Sequence, residues 1–225
     1  MNFEWSVISE NLSYFIFGNI SNGNLEGLLL TLFIAFFSGI ISLLLGVIFT
    51  MISWCFPNFF YKILFFLSEI IRGIPLIFII FWIYFTFPLI FSSYISQELT
   101  IIIALVWFNS LAIMHSTLSS IKSLPKGQTE AGLSEGLNYF QVFWIILLPQ
   151  SIKNAIPSWS VLIISLVKDT SLAFILNVPE LTTIGSQLNN LFQIYSLEIF
   201  VFVGFLYYLS CSLFSFFVKL FFSKK

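Results

Sequence analysis

Charge is what this chain has least of. Asp, Glu, Lys and Arg together make up 8% of its 225 residues, against roughly 25% in a soluble globular domain. So few ionised groups cannot clothe a water-facing surface, which excludes the soluble classes. Cysteine is as scarce: Cys55 and Cys211 lie in or beside apolar runs. Their spacing suits neither a disulfide framework nor a zinc site, and both read as small buried hydrophobes. A net charge of −1, with no basic stripe interleaved with aromatics, excludes a nucleic-acid partner. No Gly-x-x-x-x-Gly-Lys-Ser/Thr phosphate loop, His-Glu-x-x-His or nucleophile elbow is found, so the chain is expected to be no enzyme and to hold no cofactor or metal. The first twenty residues contain no Lys or Arg and no small-residue cleavage site, so no cleavable signal peptide is expected.

What is present is apolar: 59% hydrophobic residues, thirty of them Phe. A helix needs about 20 apolar residues to cross the hydrocarbon core. Five runs meet that length, at about 27–52, 58–87, 99–121, 155–177 and 197–221. They are separated at Pro57, at Pro88, by the segment 122–154 and by the segment 178–196, which opens at Pro179. The reading is an all-α integral membrane protein with five transmembrane helices. Residues 1–24 read as an interfacial lead-in and 25–225 as one transmembrane domain, with no internal repeat.

Orientation follows from the basic residues of the short connecting segments. With the N-terminus outside, the outer segments carry Glu4, Glu10, Glu26, Glu98, Glu180 and Glu198 and no Lys or Arg. Lys62, Lys122, Lys126, Lys153, Lys219, Lys224 and Lys225 then all fall inside, and only Arg72 and Lys168 remain within spans. Segment 122–154 becomes the longest cytoplasmic connection.

Within it, Pro125 and Gly127 end the third span, and Thr129 can cap a short helix through Ala131 and Leu133. Gly136 permits a turn, and YFQVFWIILLP then reads as an amphipathic helix stopped by Pro149. On periodicity alone this is either a solvated connector or a rigid protrusion lying across the membrane face.

The spacing of Glu130-Ala131, Gly136, Ile146 and Leu148-Pro149 resembles the Glu-Ala-Ala loop of binding-protein-dependent ABC importer permeases. EIIRGIPLIFIIFWIYFTFP at 69–88, SLPKGQTEAG at 123–132 and LVKDTSLAFILNVPEL at 166–181 are similar to the corresponding stretches of the polar amino acid branch, and the likeness runs over about residues 26 to 220. The resemblance implies a type I ABC importer permease fold with a cytoplasmic coupling helix between spans 3 and 4. It implies a polar amino acid as cargo and the bacterial inner membrane as location. Its implied partners are separate cytoplasmic ATPase subunits that bind the ATP, a second copy or a related permease, and an external solute-binding protein, in a setting of membrane lipid. Glu130, Ala131, Gly132, Gly136, Leu148 and Pro149 are then the ATPase-docking residues. Glu130 offers a polar anchor, and Ala131 with Gly132 a small flat face. Gly132 stands where the family has Ala, and Glu135 where an apolar residue is usual. The Gly costs about 1 kcal/mol of helix propensity.

Charges within spans are costly in lipid and normally face a cavity or one another. Glu69 and Arg72 share one face of span two; Lys168 and Asp169 interrupt span four. Arg72 and Lys168 each lie roughly 20 Å from the cytoplasmic end of their span, at about 1.5 Å per residue, so the four could meet as one polar layer. Two readings stay open: an ion-pair network that fixes packing, or groups that line a substrate path. Gly73 and Pro75 would loosen the helix beside Arg72. Asn109 and His115 in span three and Ser171 in span four complete the candidate path residues, Asn109 and His115 also being readable as packing residues. Beside the family pattern, His115 stands in place of a Glu, and Leu118-Ser119 in place of Arg-Gly. A secondary transporter driven by an ion gradient, a permease for another small solute and a membrane-embedded enzyme are the alternatives.

Overall fold

The computed structural model describes residues 5–19 and 23–222. Three charges counted for orientation, Glu4, Lys224 and Lys225, lie outside them. Two short helices, α1 (Ser6–Glu10) and α2 (Leu12–Phe17), precede the long α3 (Gly27–Cys55). α4 (Phe60–Gly73), α5 (Leu76–Phe91), α6 (Gln97–Lys122) and α7 (Lys126–Ser134) follow. The remainder is α8 (Tyr139–Leu176), α9 (Leu181–Leu191) and α10 (Ser196–Phe222). α3, α6, α8 and the helix at 193–220 are each long and apolar enough to cross a membrane, and α4 with α5, which reach that length only together, make a broken fifth span or a re-entrant loop.

The break has a local cause. Span two, read as one run over 58–87, is two helices bent by 103°. Proline forces its predecessor out of the helical region, and Ile74, before Pro75, is extended at φ −102°, ψ 135°. Span four departs from the expected run in the opposite sense, since its helix begins at Tyr139 instead of near 155. Pro149, expected as a stop, sits inside it. Residues Val142–Leu147 form a π-helical turn, which shifts the hydrogen-bond register just before Pro149. That proline then occupies the first turn of the α-helical stretch Leu148–Asp169, where a missing N–H costs least.

The chain divides into two compact units. In the first (Met1–Phe37, Tyr84–Ile102, Ile164–Lys225), Phe15 of α2 is fully buried among Leu181, Ile184 and Leu188 of α9 and Ile199, Val203 and Leu206 of α10. Tyr14 donates to Gln187 Oε1 at 2.8 Å. The described part of the lead-in is thereby fastened to the C-terminal helices. Gly185 lets α9 and α10 approach, since a Cβ there would lie 2.7 Å from Val203 Cγ2.

In the second unit (Ser38–Ile83, Ile103–Ile163), α3 meets α6 through small residues. A Cβ on Gly46 would fall 2.5 Å from Ile113 Cγ2 and 2.9 Å from the Ser110 carbonyl oxygen. Close backbone approach of this kind is how spans associate where lipid removes the hydrophobic drive. A second core gathers Ile121, Val142, Phe143, Leu147 and Leu148, with Met51, Trp54, Leu133 and Leu137 packed against it. It binds α7 and the π turn to the ends of α3 and α6.

Candidate functional site

The connection between spans three and four is a built element. α7 starts at Lys126 with Pro125 at its N-cap, so Thr129, expected to cap it, lies in its interior. Proline presets the backbone angle needed there. At the other end Gly136 is left-handed, φ +86°. Leu137 N–H donates to Gly132 O and Gly136 N–H to Leu133 O, both at 3.1 Å, the paired bonds of a Schellman stop. Asn138 restarts the helix through a reciprocal cap: its Oδ1 accepts from Gln141 N–H, and Gln141 Oε1 accepts from Asn138 N–H, each at 2.9 Å. Gln128 Nε2 donates to Gln150 Oε1 at 2.9 Å across the turn.

This packing sorts the six docking candidates. Glu130, Ala131, Gly136 and Pro149 are exposed. Gly132 and Leu148 are buried, so they cannot belong to an outward docking face. A Cβ on Gly132 would meet Ile146 Cδ1 at 2.7 Å and Val142 Cγ2 at 3.1 Å. The glycine is therefore matched to the π turn of its own chain, and Leu148 belongs to the core that holds the turn down.

The intramembrane charges fall at discontinuities of their helices. Arg72 lies in the last turn of α4, before the 103° break. Lys168 lies in the last turn of Leu148–Asp169, after which Thr170–Leu176 tightens to a 3₁₀-helix that ends on left-handed Asn177, φ 57°. Arg72 thus meets the negative end of a helix dipole. Among the described residues, no ion pair joins Glu69 to Arg72 or Lys168 to Asp169. Glu69, Arg72 and Lys168 are exposed on the chain, while Asp169 and Ser171 are half-buried.

The two span-three candidates are tied into their surroundings. Asn109 is buried and donates from Nδ2 to Leu105 O at 3.1 Å. His115 is half-buried, with Nε2 in a short hydrogen bond to Ser68 Oγ and its ring edge-to-face with Phe65 at 5.1 Å. Ser68 lies four residues before Arg72 on α4, so His115 stands on the side of that helix that carries Arg72.

Sequence reasoning missed Glu180, which it counted only as an outer charge. Its side chain is fully buried. Oε1 accepts from Thr183 N–H at 3.0 Å, capping α9, and Oε2 accepts from Tyr207 Oη at 2.7 Å. Thr31 Oγ1, 3.4 Å from Oε2, accepts Leu181 N–H at 3.0 Å, and Gly27 N–H donates to Pro179 O at 2.8 Å. Burial pushes the Glu180 carboxyl above its ordinary value, against the opposing pull of its hydrogen bonds from Thr182, Tyr207 and Thr183. The available signal was Pro-Glu-Leu-Thr-Thr, a carboxylate just before a helix with a threonine three residues on.

The family model for the binding-protein-dependent transport system inner membrane component matches residues 42–225. Among curated proteins, the chain is similar to the "Probable glutamine ABC transporter permease protein" of Bacillus subtilis (strain 168), with 37% identity over 69% of this chain and 71% of that one. It is also similar to a glutamate/aspartate import permease protein of Escherichia coli O6:H1, with 28% identity over 92% of this chain and 91% of the other. Among solved structures, an amino acid ABC transporter with histidines superimposes at a TM-score of 0.83, covering 100% of both chains at 22% identity. Chains of the methionine ABC transporter in an inward-facing form reach 0.68, at 20% identity and 84% of this chain.

Proposed function

Since the chain belongs to the binding-protein-dependent transport system inner membrane component family, we propose that it is the permease subunit of an ATP-driven importer carrying a polar amino acid. The observation that carries this reading is the turn from α7 into α8, stiff in itself and packed onto the ends of α3 and α6. The Schellman stop, the reciprocal cap and the packed core together hold the turn in one geometry, which a part that relays force requires.

In this reading, Glu130, Ala131, Gly136 and Pro149 meet a cleft on a separate ATPase, with Glu130 as polar anchor. Movement of the ATPase displaces α7, and the core of Val142, Phe143 and Leu147 passes the displacement to the membrane helices. Gly132 and Leu148 serve by keeping the turn rigid. The lysine-rich side is cytoplasmic, and an external solute-binding protein supplies the cargo from the other side. A second copy or a related permease completes the path.

Glu69 and Arg72 on α4, and Lys168, Asp169 and Ser171 on α8, are the candidate path residues. Exposed charges at membrane depth must face water or another chain. The break beside Arg72 presents a dipole end, the arrangement that receives charged cargo within membranes. An amino acid zwitterion needs both a cation and an anion, and each pair supplies both. His115, bonded to Ser68 of α4, serves beside Glu69 and Arg72 as a positioning residue. The amino-acid assignment draws on the relatives named above and on this charge pattern.

The test is gentle detergent extraction from the native membrane, with identification of the proteins retained, for the wild-type chain and for Glu130→Lys. Retention of an ATPase subunit that is lost on charge reversal is the expected result. Absence of any ATPase under conditions that preserve such complexes would overturn the reading.

A further inference from the structure

Lys122 ends α6 and Lys126 opens α7, and neither has a part in the coupling contact described above. Beside the short turn between them lies a cavity of about 550 Å³, whose walls include Trp54, Lys122, Pro125, Lys126, Thr129 and Glu130. A second cavity, about 310 Å³, shares Trp54, Lys122 and Thr129 with it and adds Tyr61.

Three features give this recess a positive field. Among the described residues, no carboxylate forms an ion pair with either ammonium group. Lys122 Nζ is instead held over the Tyr61 ring, 5.1 Å from its centroid. The N-terminus of α7 has no side-chain cap; Gln128 N–H donates to Pro125 O at 3.1 Å, which leaves the Lys126 and Gly127 amides to an acceptor. The rest of the wall is apolar, from Ile121, Leu124 and Leu147.

We propose that this recess holds the phosphodiester headgroup of an anionic membrane lipid. Cationic groups and open amides suit phosphate oxygens, while the apolar wall suits the glycerol and the first methylenes of an acyl chain. Glu130 on the same wall disfavours a second negative charge, which selects a singly charged phosphodiester over inorganic phosphate. The site lies at the lysine-bearing ends of the spans, the depth at which basic pockets engage lipid headgroups. Bound there, the lipid would wedge α7 against α3 and α6, and so set the stiffness of the coupling turn. This goes beyond the transport reading, and lipid retention is measured without ATPase or cargo, so either can fail alone.

The experiment is native mass spectrometry of the full-length chain in non-ionic detergent, with phosphatidylglycerol, phosphatidylcholine or inorganic phosphate added at equal concentration. Phosphatidylglycerol should be retained over phosphatidylcholine. Lys122→Gln with Lys126→Gln should cut its retention about tenfold or more. Lys153→Gln with Lys219→Gln, an equal loss of charge elsewhere, should leave it unchanged. Should the double variant not fold, Lys126→Gln alone serves, because Lys126 is exposed. Equal retention of phosphatidylcholine, wild-type retention by the lysine variants, or displacement of the lipid by inorganic phosphate would each overturn the assignment.

Discussion

Tyr207 on α10 donates its hydroxyl to Glu180 Oε2 at 2.7 Å, and that carboxylate in turn caps α9. Two helices and the start of α3 are thereby joined at one fully buried side chain. Removing one donor from a buried carboxylate leaves a desolvated acceptor, which costs about 1–3 kcal/mol. Tyr207→Phe should therefore lower the unfolding temperature in detergent; an unchanged transition would show that the hydroxyl carries no weight.

The same carboxylate makes stability depend on pH. Burial raises its pKa, so the folded chain holds this proton more tightly than the unfolded one. Its contribution is fully present below the ordinary glutamate value and is lost as pH rises through the raised value. Thermal unfolding followed against pH should show Glu180→Gln gaining on the wild type as pH rises. Parallel curves would rule out titration of Glu180 in this range.

Gly132 offers a packing test of the coupling turn. The nearest obstacle to a Cβ is the tip of Ile146, which can rotate, and alanine returns about 1 kcal/mol of helix propensity. Gly132→Ala should be close to neutral in stability and transport. Gly132→Leu should separate ATP hydrolysis from uptake, and Ile146→Ala should restore the link. Uptake and ATPase assays in reconstituted vesicles distinguish these outcomes.

Within the same turn, Glu130→Ala and Gly136→Leu should uncouple hydrolysis from uptake while leaving the chain inserted. For Gly136 the reason is conformational, since a branched side chain at φ +86° is strained. Normal transport by both variants would remove the docking assignment.

Arg72→Met should abolish uptake while the complex still assembles, because Arg72 is exposed and pairs with no carboxylate among the described residues. Loss of folded protein, read by size-exclusion profile, would instead return Arg72 to a packing role.

Gly46→Val should destabilise the chain through overpacking, by about 1–3 kcal/mol, since the new Cβ meets both Ile113 and a backbone oxygen. A folded, unshifted variant would mean that α3 and α6 are looser than this spacing implies.

The sequence by itself determined that the chain is helical and membrane-spanning, because hydrocarbon demands about 20 apolar residues per crossing and internal pairing of every backbone group. It also marked Gly136 as the turn and Pro75 as a weak point, since both act through local backbone geometry. Only the tertiary structure decided the rest. That Pro149 would be carried within a helix depends on a π turn whose residues are chosen by packing. That Gly132 and Leu148 face inward depends on which side of α7 meets Val142 and Ile146. Glu180 was least legible, because a carboxylate at a span end reads as solvated until Thr31, Thr183 and Tyr207 are brought around it. Local rules act between neighbours in sequence, whereas burial is set by partners more than a hundred residues away, as Thr31 is from Glu180.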